Sequence, residues 1–77
     1  MITLIWVSDD KDIVTYTYRP EDGDEGVVMY SRTRKAIRMD STPLVDYPKL
    51  YKNHMKSVLI DFAKKDKFPK EYTIAWY

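Results

Sequence analysis

Residues 46–65 read DYPKLYKNHMKSVLIDFAKK. Tyr47, Leu50, Tyr51, Met55, Val58, Leu59 and Phe62 recur near the three-and-four spacing that lines apolar side chains along one helical stripe. Lys49, Lys52, Asn53, Lys56 and Lys64 fall between them, so the pattern predicts an amphipathic helix with a wet, basic outer face. Asp46 or Tyr47 is expected at the cap, and Pro48 suits the first turn because it has no N–H to leave unpaired there. Lys64, Lys65 and Lys67 gather where the helix dipole favours cations, and Pro69 blocks continuation. The remaining segments carry strand and turn signals, which leaves this helix as the one element able to roof a sheet.

Residues 2–7 are dense in β-branched and aromatic side chains and read as a first strand, stopped by the charged turn Asp9, Asp10, Lys11, Asp12. Residues 13–19 alternate, with Val14, Tyr16 and Tyr18 on one face and Ile13, Thr15, Thr17 and Arg19 on the other. Pro20 cannot donate to a ladder, and the following residues 21–26 hold both glycines of the chain, so they form a loop. Strands at 27–31 and 36–40 follow, joined by residues 32–35, a tight connection without glycine or asparagine in which another residue must adopt a positive φ. Residues 71–77 close the chain as a fifth strand, with Tyr72, Ile74 and Trp76 on one side and Thr73, Ala75 and Tyr77 on the other.

Four strands joined by short turns make an antiparallel meander. A helix of about 19 residues spans roughly 28 Å at 1.5 Å per residue, while five strands at about 4.8 Å spacing are roughly 19 Å across. The helix can therefore cross the sheet and deliver the fifth strand beside the first. The predicted fold is α+β, a five-stranded antiparallel sheet of ββββαβ connectivity and strand order 5-1-2-3-4, with the helix on one face and residues 1–77 in a single domain.

Composition narrows the function. At 77 residues, folding buries only roughly 60 to 65% of the surface that the unfolded chain exposes. The chain has no cysteine and one histidine, which excludes a disulfide scaffold, thiolate metal sites and most histidine-based zinc sites. No apolar run approaches the roughly 18 residues needed to span a membrane. The opening MITLIWVSDD lacks a basic region before its apolar run and reads as strand, so a cytoplasmic setting without membrane attachment is expected.

Charge is uneven. The first 25 residues hold seven acids against two bases, and the remainder holds eleven bases against five acids. In a meander the first and third turns share one end of the sheet, so Asp9, Asp10 and Asp12 are expected near Arg32, Arg34 and Lys35, where they can neutralise one another. Glu21, Asp22, Gly23, Asp24 and Glu25 are too compact for a calcium loop, so no metal or other cofactor is expected. His54 has Ser57 beside it on the helix, but no strained elbow or glycine-rich oxyanion loop accompanies the pair. No catalytic residue is assigned and the chain is read as a non-enzyme.

With one helix on one face, the other sheet face is left open. Alternation places Thr3, Ile5, Val7, Thr15, Thr17, Arg19, Arg38, Thr73, Ala75 and Tyr77 there, apolar toward strands one and five and Thr/Arg toward strands two and four. An apolar patch rimmed by polar residues marks an interaction surface. The protein-binding residues are Ile5, Val7, Thr15, Thr17, Arg19, Arg38 and Tyr77, serving a homodimer or a protein partner. The alternative is weak nucleic-acid binding through Lys49, Lys52 and Lys56, whose spacing could follow phosphates.

Two stretches carry a resemblance. The tyrosine-alternating strand ending in Arg19, Pro20, Glu21, and the closing Phe68, Pro69, Lys70, Glu71 followed by Ile74, Ala75, Trp76, Tyr77, are similar to small uncharacterised proteins of low-GC Gram-positive bacteria. The turn at 32–35 departs from such relatives in lacking glycine. The resemblance implies a bacterial, cytosolic setting and brings no activity, cofactor or catalytic residue.

Overall fold

The computed structural model describes residues 1–75. Strands β1 (Ile2–Asp9), β2 (Ile13–Pro20), β3 (Gly26–Ser31), β4 (Ala36–Met39) and β5 (Glu71–Ile74) form one open antiparallel sheet in the order β4-β3-β2-β1-β5, and helix α1 (Lys49–Lys65) connects β4 to β5. The expected α+β architecture and strand order are those observed. Trp76 and Tyr77, expected to extend the fifth strand, lie outside the described residues.

The core lies between the sheet and α1. Ile2 and Leu4 from β1, Val14, Tyr16 and Tyr18 from β2, and Val28 from β3 are fully buried against Met55 and Leu59 of α1, with Phe62, Leu44 and Ile74 at the margins. The strand contributors alternate because successive side chains leave opposite faces of the pleat. Phe62 joins helix to sheet through its ring contacts with Tyr16 (6.1 Å between centroids) and Tyr72 (5.1 Å, edge-on).

Two hydroxyls on β2 secure the connections on either side of α1. Tyr18 donates to the carbonyl of Asp40 before the helix, and Tyr16 donates to the carbonyl of Pro69 after it, at 2.6 Å. Burial pushes both phenols up to about 12, so the neutral, donating form persists across the physiological range.

The start of α1 differs from expectation. A 3-10 turn, Thr42–Leu44, precedes it and buries Leu44, and the cap position is taken by Pro48 itself, with ψ of 149° and no side-chain cap bond. Asp46 and Tyr47 are drawn away from the cap because the Tyr47 amide donates to Leu44 and its ring packs on Tyr51 at 4.8 Å. At the other end Asp66 takes the left-handed conformation (φ 50°), and the amides of Asp66 and Lys67 close back on Ala63 and Phe62. In the β3–β4 connection the positive φ falls on Lys35, at 51°. Among the described residues no helix is long and apolar enough to cross a membrane.

Candidate interaction surface

Among the described residues, no element packs over the sheet face opposite α1. Cross-strand partners share a face, so the registers place its residues in rows: Glu71, Ile5, Thr17 and Val27 in one, then Val7 and Ser8 beside Thr15, Met29 and Arg38 in the next. Thr3 and Arg19 lie beyond the first row, and Ile13, Ser31 and Ala36 beyond the second. Ile5 is 41% exposed, Val7 50% and Val27 40%, while Thr15, Thr17 and Met29 are half-buried between them.

Val7 owes its place to an irregularity. The ladder between β1 and β2 slips by one residue between Trp6 and Ser8, so Val7 and Ser8 together oppose Thr15. Such a bulge inserts one residue and reverses the alternation beyond it. Asp9, which alternation alone would place on the open face, instead pairs with Val14 on the core side. There its carboxylate receives two hydrogen bonds from Arg32, at 2.6 and 2.8 Å, and the Arg32 guanidinium stacks 4.9 Å from the Phe68 ring.

The expected neutralisation between the first and third turns is present. The Arg32 guanidinium, helped by the Lys11 amide, holds the Asp9 carboxyl down at about 2. The Asp12 carboxylate accepts from the Thr33 amide and the Ser31 hydroxyl, which lowers its pKa too. In the β2–β3 loop Glu21 is engaged by the Met1 amino group at 2.6 Å and the Tyr51 hydroxyl at 2.8 Å.

Of the residues expected on the interaction face, Ile5, Val7, Thr15, Thr17, Arg19 and Arg38 share it, whereas Tyr77 lies outside the described residues. Arg19 faces Glu25 at 3.8 Å, and Arg38 makes no ion pair among the described residues. The expected division into an apolar strand-one and strand-five side and a Thr/Arg side needs correction. Strand β5 brings Glu71 and Thr73 to this face, and the apolar character continues through Val27, Met29 and Ile13. Val27 and Met29 join this face through their pairing with Thr17 and Thr15. At the β3–β4 end, Ile13, Met29 and Ala36 line a shallow depression together with Asp12, Arg34 and Arg38.

On α1 the predicted stripe is narrower than expected. Met55, Leu59 and Phe62 are buried, Tyr51 and Val58 partly so, and Leu50 is 48% exposed on the outer face. Lys49 and Lys56 are exposed and Lys52 half-buried along one flank, with the apolar Ile60 exposed among them. His54 is half-buried, and Ser57 is exposed on the next turn. Among the described residues no group of three or more His, Cys, Asp or Glu side chains is gathered where a metal ion could be held. No protein-family model, curated protein or solved structure matches the chain.

Proposed function

We propose that this is a small non-enzymatic interaction module that self-associates through its open sheet face. The observation that carries this reading is the presence of Ile5, Val7 and Val27, each 40% exposed or more, on one sheet face that no element covers among the described residues. Threonines hold the spaces between these side chains, and Glu71, Arg19 and Arg38 surround them. Such a face is flat and amphipathic, suited to sheet-on-sheet packing.

The pattern is self-complementary. A two-fold axis between two copies, running across the strands between Thr15 and Thr17, superposes the two central rows. Ile5 of one copy then meets Val7 of the other, Val27 meets Met29, and Thr17 meets Thr15. Arg19 falls over Ile13, so no two arginines stack. An axis parallel to the strands and centred on β2 instead places Arg19 over Arg19 and is disfavoured. With strands at about 4.8 Å spacing and three to four residue rows, each copy contributes roughly 450 Å², at the low end of specific interfaces. The dimer is therefore weak and concentration-dependent.

Sedimentation velocity of the wild type should show the average mass rising with concentration toward that of two chains, and the Ile5→Ser/Val27→Ser double variant should stay monomeric. A wild type that remains monomeric at every concentration overturns the reading. Nucleic-acid binding through Lys49, Lys52 and Lys56 is the lesser reading. The exposed Ile60 interrupts that face, and Lys52 is half-buried.

A further inference from the structure

Strand β4 is one edge of the sheet, paired with β3 on its inner side alone. The Asp40 amide donates to the Val27 carbonyl at 2.9 Å, which fixes the phase of that ladder. Since residues of an antiparallel strand turn alternately toward and away from the partner, Arg38 and Ala36 are also bonded to β3. The N–H and C=O groups of Ile37 and Met39 therefore point outward, where a further strand would add.

Side chains along this edge are sorted by face. Arg38 and Ala36 lie on the open face, opposite Met29 and Ser31. Ile37 and Met39 lie on the core face, half-buried against the cluster beneath α1. Arg34 and Lys35 stand at the turn that leads into the strand. Among the described residues Arg34, Lys35 and Arg38 make no ion pair, whereas Arg32 and Arg19 each face a carboxylate. The nearby Asp12, bonded to the Thr33 amide and the Ser31 hydroxyl, attracts Arg34 electrostatically, and Asp40, at the far end of β4, accepts from the Thr42 amide. One edge thus combines outward-facing backbone groups, cations that outnumber the nearby Asp12 on one face and apolar side chains on the other.

Those cations discourage a second copy from pairing here, because two β4 edges would bring like charges together. They favour the opposite charge. We infer that the outer edge of β4 takes up an extended acidic segment of a partner protein as an added strand, its acids beside Arg38 and Arg34 and its alternate apolar residues beside Ile37 and Met39. Backbone bonds to Ile37 and Met39 supply affinity, and the alternation of acidic and apolar residues supplies specificity. This site and its occupant are separate from the self-association face.

The test uses fluorescence anisotropy of the full chain with a labelled peptide alternating glutamate and valine. Binding should weaken as salt rises. Arg38→Glu and Arg34→Glu should each weaken it roughly tenfold, and the double variant should instead bind a lysine–valine peptide, which shows the variant to be folded. The Ile5→Ser/Val27→Ser variant should bind like wild type, which separates this site from self-association. Two further peptides, N-methylated on every glutamate or on every valine, distinguish strand addition from simple charge attraction, because one set of amides faces β4 and the other faces solvent. One should lose binding and the other keep it. Absence of binding by the glutamate–valine peptide, equal binding of both methylated peptides, equal binding of the lysine–valine peptide to wild type, or displacement by a single-stranded oligonucleotide at equal charge would each overturn the inference, the last by assigning the edge to nucleic acid.

Discussion

At Asp9 a single inserted residue decides where a charge goes. The bulge at Val7 carries Asp9 to the core side of the sheet, where Arg32 grips it with two hydrogen bonds while stacking on Phe68. That pair ties the first turn to the third and to the segment following α1. The folded state holds the Asp9 carboxyl at about 2, below its ordinary 3.8. A depressed carboxyl contributes stability that is complete above the ordinary value and disappears as pH falls through the folded one. Asp9→Asn should therefore unfold at lower urea than wild type near neutrality, and the gap should close as pH drops from 3.8 toward about 2. Curves that superpose at neutral pH, or a gap that stays undiminished as pH falls through about 2, would show that the ionised pair does not carry this stability. The sequence located both turns at one end of the sheet, yet it could not locate the bulge. An added residue changes neither composition nor local alternation, and it becomes visible only when β1 is laid against β2.

Among the elements, α1 separates what periodicity can read from what it cannot. Leu50 and Leu59 belong to the same apparent stripe, but they are nine positions apart, about two and a half turns at 3.6 residues per turn. They consequently stand on opposite sides of the helix, with Leu59 at 1% exposure in the core and Leu50 at 48%. Leu59→Ala should cost about 2–4 kcal/mol in chemical denaturation through lost burial and a cavity. Leu50→Ala should change stability by no more than about 0.5 kcal/mol. Equal costs would mean that the helix is rotated from the position described. The strands were more legible. In β2 the period-two alternation of Val14, Tyr16 and Tyr18 coincides with burial residue by residue, because a sheet covered on one face leaves no freedom to drift. The entry to α1 was not legible, since Thr42–Leu44 and Pro48 take their conformations from where Leu44 and Tyr47 are buried. On the open face, sequence found the β1 and β2 contributors, and the apolar share of β3 emerged only with its register.

For the whole molecule the decisive feature is that, among the described residues, five strands share one α-helix, so one face of the sheet has no layer packed on it. A small domain stabilises itself by removing apolar surface from water, and here Ile5, Val7 and Val27 retain theirs. If a second copy covers that face, association and folding become linked, because the dimer binds the folded chain and not the unfolded one. A tenfold rise in concentration then stabilises a dimer by about 1.4 kcal/mol, or roughly 0.7 kcal/mol per chain. For a domain of this size each kcal/mol moves the melting midpoint by about 4–8 °C, which gives roughly 3–6 °C per decade of concentration. Calorimetry across the range in which sedimentation detects the dimer should show this slope for the wild type and a flat line for Ile5→Ser/Val27→Ser. The acidic peptide should raise the midpoint of both proteins alike, since it occupies β4 and leaves the face free. A wild-type midpoint independent of concentration would mean that the uncovered layer meets only water, and that the threonines between Ile5, Val7 and Val27 are there to wet it.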